Sequence, residues 1–134
     1  MTDSPRLTRN QSLVLNALGK AEGPLSAYGI LDEVRAHGIR APLQVYRALD
    51  RLTALGLVHR LESLNAFVAC CGPHDHAEGA MIAFAICEGC GQVSEFSDRE
   101  VARRLSRWTT AHAFHPAKTT IEIRGHCRAC AAAA

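Results

Sequence analysis

APLQVYRALDRLTALGLVHRLESLNAFVACC, residues 41–71, holds the reading that decides the fold. Pro42 suits the first turn of a helix, where a missing N–H costs nothing. Val45, Leu49, Leu52 and Leu55, with Ala48, recur at helical spacing and form one apolar stripe, and Gly56 ends it. Beyond Gly56, LVHRLES and NAFVACC are two short apolar segments on either side of Ser63-Leu64-Asn65, the pattern of a β-hairpin. Upstream, Thr8 can cap a helix carrying Val14, Leu15 and Leu18, with Gly19 and Gly23-Pro24 as its stops. Ser26 can cap a second helix carrying Ile30, Leu31 and Val34, closed by Gly38. Three helices and a hairpin spell a winged helix-turn-helix, in which the third helix enters the DNA major groove and the hairpin is the wing. A small helical domain without a ligand would share this periodicity.

Downstream, GPHDHAEG (residues 72–79) is polar and turn-rich and reads as a linker. Residues 80–86 are apolar and read as a strand, and Gln92 to Phe96 as a second. Ser97 or Asp98 starts a helix to about Ala111 with Val101, Leu105 and Trp108 on one face. Thr119 to Arg124 is a third strand, and the four terminal alanines are expected to fray. The expected class is α+β: a winged-helix domain over residues 1–71, a linker over 72–79, and an α/β domain over 80–134.

Composition narrows the function. The net charge is only +2, yet between Arg40 and Arg60 lie four arginines (Arg40, Arg47, Arg51 and Arg60) and one acid, Asp50, a local excess suited to phosphates. The N-terminus, MTDSPRLTRN, has no apolar signal core, and no apolar run approaches the roughly 20 residues of a membrane span, so the cytoplasm is the expected compartment. Thiols stay reduced there, which turns the six cysteines from disulfides toward metal.

CEGC (Cys87, Cys90) and CRAC (Cys127, Cys130) each place two thiolates on one tight turn, and two such turns make a tetrahedral all-sulfur site suited to zinc. The 36 intervening residues leave room for a strand and a helix between the pairs. His59, Cys70, Cys71, His74, His76 and Glu95 are candidates for a second site tying the wing to the second domain. Adjacent strand residues face opposite ways, so Cys70 and Cys71 are not expected to share one ion. Singly, each has a plainer reading: His59 a half-buried strand residue, Glu95 a solvated carboxylate, Cys70 a small core residue.

Together, SAYGILDEV, VYRALDRLTALGLVHRLES, FVAC, ICEGCGQVSEF and IEIRGHCRAC resemble the ferric uptake regulator family, and most of all its zinc uptake regulator branch. The resemblance runs from about residue 7 to residue 130. It implies a homodimeric repressor that binds double-stranded operator DNA and controls zinc uptake genes. It implies two Zn2+ per chain, a structural ion on Cys87, Cys90, Cys127 and Cys130 and a regulatory ion on His59, Cys70, His76 and Glu95, with His74 as the alternative to His76. Tyr46 and Arg47 carry over as DNA contacts, and Arg51 stands one turn beyond. Iron and manganese members place a histidine in the strand before the last CxxC; here Lys118, Thr119 and Thr120 occupy that stretch.

Two readings from other classes compete. His76-Ala77-Glu78 ahead of Cys87 and Cys90 echoes the zinc nucleobase deaminases. Ile86 stands where their proline belongs, however, and the second CxxC would be left unexplained. A structural zinc adaptor would keep the four cysteines without zinc-dependent DNA affinity. Within the family, a sensor of iron, manganese or nickel differs in its ligands, and a thiolate at Cys70 favours zinc.

Overall fold

The computed structural model describes residues 6–70 and 81–133, and the chain divides into two compact units, Met1–Cys70 and Cys71–Ala134. In the first unit, helix α1 spans Arg9–Lys20 behind a reciprocal cap: the Gln11 N–H donates to Thr8 Oγ1 (3.2 Å) and the Thr8 N–H to Gln11 Oε1 (3.0 Å). Gly19 lies inside this helix rather than ending it. Helix α2 spans Ala27–Val34, with Ser26 Oγ accepting from the Gly29 N–H at 3.1 Å. A 3₁₀ turn, Arg35–His37, then tightens the chain before Gly38, whose φ of +101° suits a residue without a Cβ.

Helix α3 spans Pro42–Ala54. Its N-cap, Ala41, has no side-chain acceptor, and Gln44 compensates by turning back: its Oε1 accepts from the N–H groups of Arg40 and Ala41, each at 3.3 Å. Val45, Ala48, Leu49 and Leu52 are buried, while Leu55 is half-buried past the helix end. These four pack with Val14, Leu18, Ile30, Leu31, Val34 and Ile39 into one core. Fully burying a Leu or Ile side chain contributes about 1.5–3 kcal/mol, so this cluster dominates the stability of the unit.

Strands β1 (Val58–Leu61) and β2 (Ala66–Ala69) form the antiparallel hairpin, in register from Val58↔Ala69 to Leu61↔Ala66. Asn65 adopts φ +48° in its turn, and its Oδ1 accepts from Arg60 Nη2 at 3.1 Å. Leu25 and Phe67 exchange backbone hydrogen bonds of 3.0 and 2.8 Å, fixing the hairpin to the segment before α2. Three helices followed by this hairpin are the winged-helix arrangement.

The second unit is a three-stranded sheet in the order β4-β3-β5, from β3 (Met81–Cys87), β4 (Val93–Phe96) and β5 (Thr119–Gly125). The central strand β3 runs antiparallel to β4 and parallel to β5. A parallel pair needs a long crossover, and helix α4 (Arg99–Ala111) supplies it. Asp98 caps that helix, its Oδ1 accepting from the N–H groups of Glu100 (2.8 Å) and Val101 (3.1 Å). Its expected apolar face is not buried: Val101, Leu105 and Trp108 are 38%, 38% and 56% exposed, whereas Ala102 and Thr109 are half-buried. Leu105 and Trp108 follow helical periodicity correctly, but a small sheet covers only a narrow seam of the helix. Helix α5 (Arg128–Ala133) takes in Ala131 to Ala133, where fraying was expected, because it grows from the second CxxC turn. The interval read as a linker, residues 72–79, lies outside the described residues, as do Cys71, His74 and His76. Among the described residues no helix is long and apolar enough to cross a membrane.

Candidate metal centre

The parallel register Cys87↔Gly125 ends β3 and β5 at the same edge of the sheet. CEGC therefore turns out of β3 and CRAC out of β5 side by side. The ligand atoms of Cys87, Cys90, Cys127 and Cys130 all lie within 4.8 Å of one another, and Cys90 Sγ is 3.9 Å from Cys127 Sγ. With Zn–S bonds of about 2.3 Å, the edge of a ZnS₄ tetrahedron is about 3.8 Å, which the Cys90–Cys127 separation matches, and the cluster has the size a tetrahedral ion needs.

Backbone amides prepare the site for negative charge. The N–H groups of Cys127 (3.3 Å) and Cys90 (3.4 Å) donate to Cys87 Sγ. Led by the Cys127 amide and then that of Cys90, these donors lower the pKa of Cys87 from 9.0 to about 5. Cys130 shows the reverse. Its hydrogen bonds to the side chains of Cys87, Cys127 and Cys90 push it up from 9.0 to about 12, so it holds its proton. A cation bound here would pair with the Cys87 thiolate and displace the Cys130 proton.

Gly89 makes the close approach possible. A Cβ built on it would stand 2.9 Å from Cys130 Sγ and 3.1 Å from Cys130 Cβ. Its one mark in the sequence is the lack of a side chain directly before the second cysteine of CEGC. Gly91, by contrast, meets nothing within 4 Å and is needed for its φ of +78°.

In the first unit, the hairpin register sets His59 opposite Val68. Residues opposite each other share a face, and so do residues two apart, so Cys70 follows Val68 onto the face of His59. The Cys70 N–H donates to the Leu57 carbonyl at 2.8 Å, extending the ladder by one step. The ligand atoms of His59 and Cys70 lie within 4.8 Å of each other. His59 is buried at 4% exposure, deeper than a half-buried strand residue. Glu95 sits in the second unit, half-buried on β4 opposite Phe84.

On α3, Tyr46, Arg47 and Arg51 share the exposed side of the helix with Leu43 and Asp50. Leu43 and Tyr46 are 58% and 42% exposed, and on α2 Tyr28 is 64% exposed. Neither Leu43 nor Tyr28 belongs to a motif in the sequence that marks it as functional. For Leu43 the signal was an apolar residue out of phase with the buried stripe.

A model of the ferric uptake regulator family matches residues 3–124. The chain belongs to that family. It is similar to the zinc uptake regulation protein of Escherichia coli (strain K12), 36% identical over 126 residues that cover 93% of this chain and 72% of that one. It is similar in structure to holo XcZur, with a TM-score of 0.85 and 42% identity over 97% of this chain and 89% of that one. It is also similar to a zinc uptake regulator complexed with zinc and DNA, with a TM-score of 0.84 and 33% identity over 96% and 85% of the two chains. The chain is thus a homologue of zinc uptake regulators and a family transcription regulator, not a deaminase or other enzyme.

Proposed function

We propose that the chain is a zinc-responsive repressor that binds operator DNA as a homodimer when a regulatory zinc is held, and so controls zinc uptake genes from the cytoplasm. The observation that carries this reading is the pairing of an imidazole and a thiol, His59 and Cys70, on one face of the hairpin. A nitrogen and a sulfur ligand select zinc over iron(II) and manganese, which favour harder donors. His76 and Glu95 complete that set, with His74 as the alternative to His76. Cys87, Cys90, Cys127 and Cys130 hold the second, structural ion, giving two zinc ions per chain.

The domain assignment follows: residues 1–71 read DNA, 72–79 link, and 80–134 dimerise and hold the structural ion. The exposed apolar residues Val101, Leu105, Trp108 and Ile123 support an association surface in the second domain. His59 and Cys70 on the hairpin and Glu95 on β4 would hold the regulatory ion, which would supply bonds to nitrogen, sulfur and oxygen donors and so favour the conformation in which those ligands converge. If that conformation spaces two copies of α3 one DNA turn apart, metal affinity and DNA affinity would rise together. Tyr46, Arg47 and Arg51 then reach phosphates and base edges.

Metal analysis of the purified protein, paired with DNA binding with and without a chelator, tests the reading. Two zinc ions per chain and DNA binding lost on chelation are expected. Restoration by iron(II) or manganese but not by zinc would move the chain to another branch of the family. Zinc-loaded protein indifferent to DNA would make it a structural adaptor.

A further inference from the structure

The large apolar side chains on the exposed side of α3 lie at its start. Leu43, the second residue of the helix, is 58% exposed and belongs to no core cluster among the described residues. Tyr46 and Arg47 lie three and four positions on, so they are its neighbours on the helix surface. A lone exposed leucine needs no explanation in general. Its two companions in the first turn give this one a particular setting.

Pro42 has no N–H to offer a base. Gln44, the residue type that pairs with adenine, has its Oε1 engaged by the backbone of Arg40 and Ala41 and is turned back as a cap. Helical side chains lean toward the N-terminus, so Leu43 covers the leading end of α3. In helix-turn-helix docking that end meets the base edges. The surrounding Arg47 and Arg51 supply the charge that would bring it against a polyanion.

We infer that Leu43 reads sequence by packing its side chain against the C5-methyl group of a thymine in the major groove. This rests on the proposal that α3 is the recognition helix, and extends it by naming a hydrophobic contact and the base it selects. An isobutyl group offers no hydrogen bond, and the thymine methyl is the one apolar feature of the major-groove edge.

The test uses the full zinc-loaded protein and an operator obtained by selection from a random-sequence duplex pool. Each thymine of a half-site is replaced in turn by deoxyuridine, which removes only the methyl. Wild-type protein should lose about fourfold in affinity at one thymine per half-site, the equivalent of burying one methylene. Leu43→Ala should bind the thymine operator as weakly as wild type binds the deoxyuridine operator, and show no further loss on deoxyuridine. Leu43→Met should keep the methyl dependence. Unchanged melting temperatures are expected, since Leu43 packs in no core. A wild type indifferent to every substitution, or a Leu43→Ala variant with undiminished methyl dependence, overturns the inference while leaving DNA binding intact. Failure to select any sequence overturns the recognition-helix reading and this inference with it.

Discussion

The Cα of Gly89 stands so near Cys130 that an added Cβ would lie 2.9 Å from its sulfur. A sulfur free to rotate would step aside, but one of four converging ligands has nowhere to go, and its own Cβ is only 3.1 Å away. Gly89→Ala should therefore weaken zinc binding at the four-cysteine site, on the order of 10–100-fold as for other changes that misplace a ligand. Gly91→Ala is the contrast. It strains a positive φ by about 1–2 kcal/mol but crowds nothing, so it should lower melting temperature and spare zinc affinity. Competition with a chromogenic chelator and thermal melting separate the two effects. Equal zinc affinity in Gly89→Ala and wild type would show that the turn yields.

Cys70 shares a face with His59, whereas a strand continued to residue 71 would turn Cys71 away. Cys70→Ala should lose about one zinc per chain, keep the structural ion and the dimer, and lose zinc-dependent operator binding; Cys71→Ala should do much less. The measurement is zinc content with operator affinity across a buffered zinc series. The opposite pattern would put the register off by one residue, and two silent variants would place the regulatory ion elsewhere.

Arg47 is exposed on α3 and outside the core. Arg47→Ala should keep both zinc ions and the melting temperature and lose roughly 1–3 kcal/mol of operator affinity, the worth of a good base-edge contact. Wild-type affinity at matched salt would reduce Arg47 to a solvated surface residue.

The metal-free cysteine cluster is asymmetric in charge. Cys87, depressed from 9.0 to about 5, favours the folded form fully above pH 9 and loses that contribution as pH falls toward 5. Cys130, raised from 9.0 to about 12, acts in the opposite sense: its contribution is complete below pH 9 and is lost as pH rises through 12. Zinc entering folded, freshly stripped protein at pH 7 should expel a proton from Cys130 and none from Cys87. Calorimetry in buffers of different ionisation heat counts these protons, with circular dichroism reporting that the protein is still folded. Release of four protons per ion would mean that Cys87 is protonated before the metal arrives.

The first unit was legible because each of its signals is local. Thr8 and Ser26 are caps, Gly38 and Gly56 take left-handed φ values where stops were read, and Val45, Ala48, Leu49 and Leu52 are buried in phase. Gly19 misled because one glycine costs a helix only about 1 kcal/mol, less than the packing of Leu18 beside it returns. The second unit was legible in its elements but not in its partners. Nothing in Thr119 to Gly125 says that β5 will lie parallel to β3, and the exposure of Val101, Leu105 and Trp108 depends on how little of α4 a three-stranded sheet can cover. Four cysteines were plain as ligands; that Gly89 must lack a side chain was not, since the crowding comes from a residue far along the chain.

The parallel pairing of β3 with β5 has a consequence for how the chain assembles. Cys87 and Cys127 are 40 positions apart, and an ion gripped by both turns closes that whole stretch into a ring. By the relation used for covalent cross-links, closing a ring of this size removes about 4 kcal/mol of conformational freedom from the unfolded chain. Contacts between distant strands are the slow ones to find by diffusion. A thiolate pair that captured metal before the sheet exists would shorten that search. Unlike a disulfide, this tether opens without any change of oxidation state: acid or a stronger chelator releases the ion, and with it the ring.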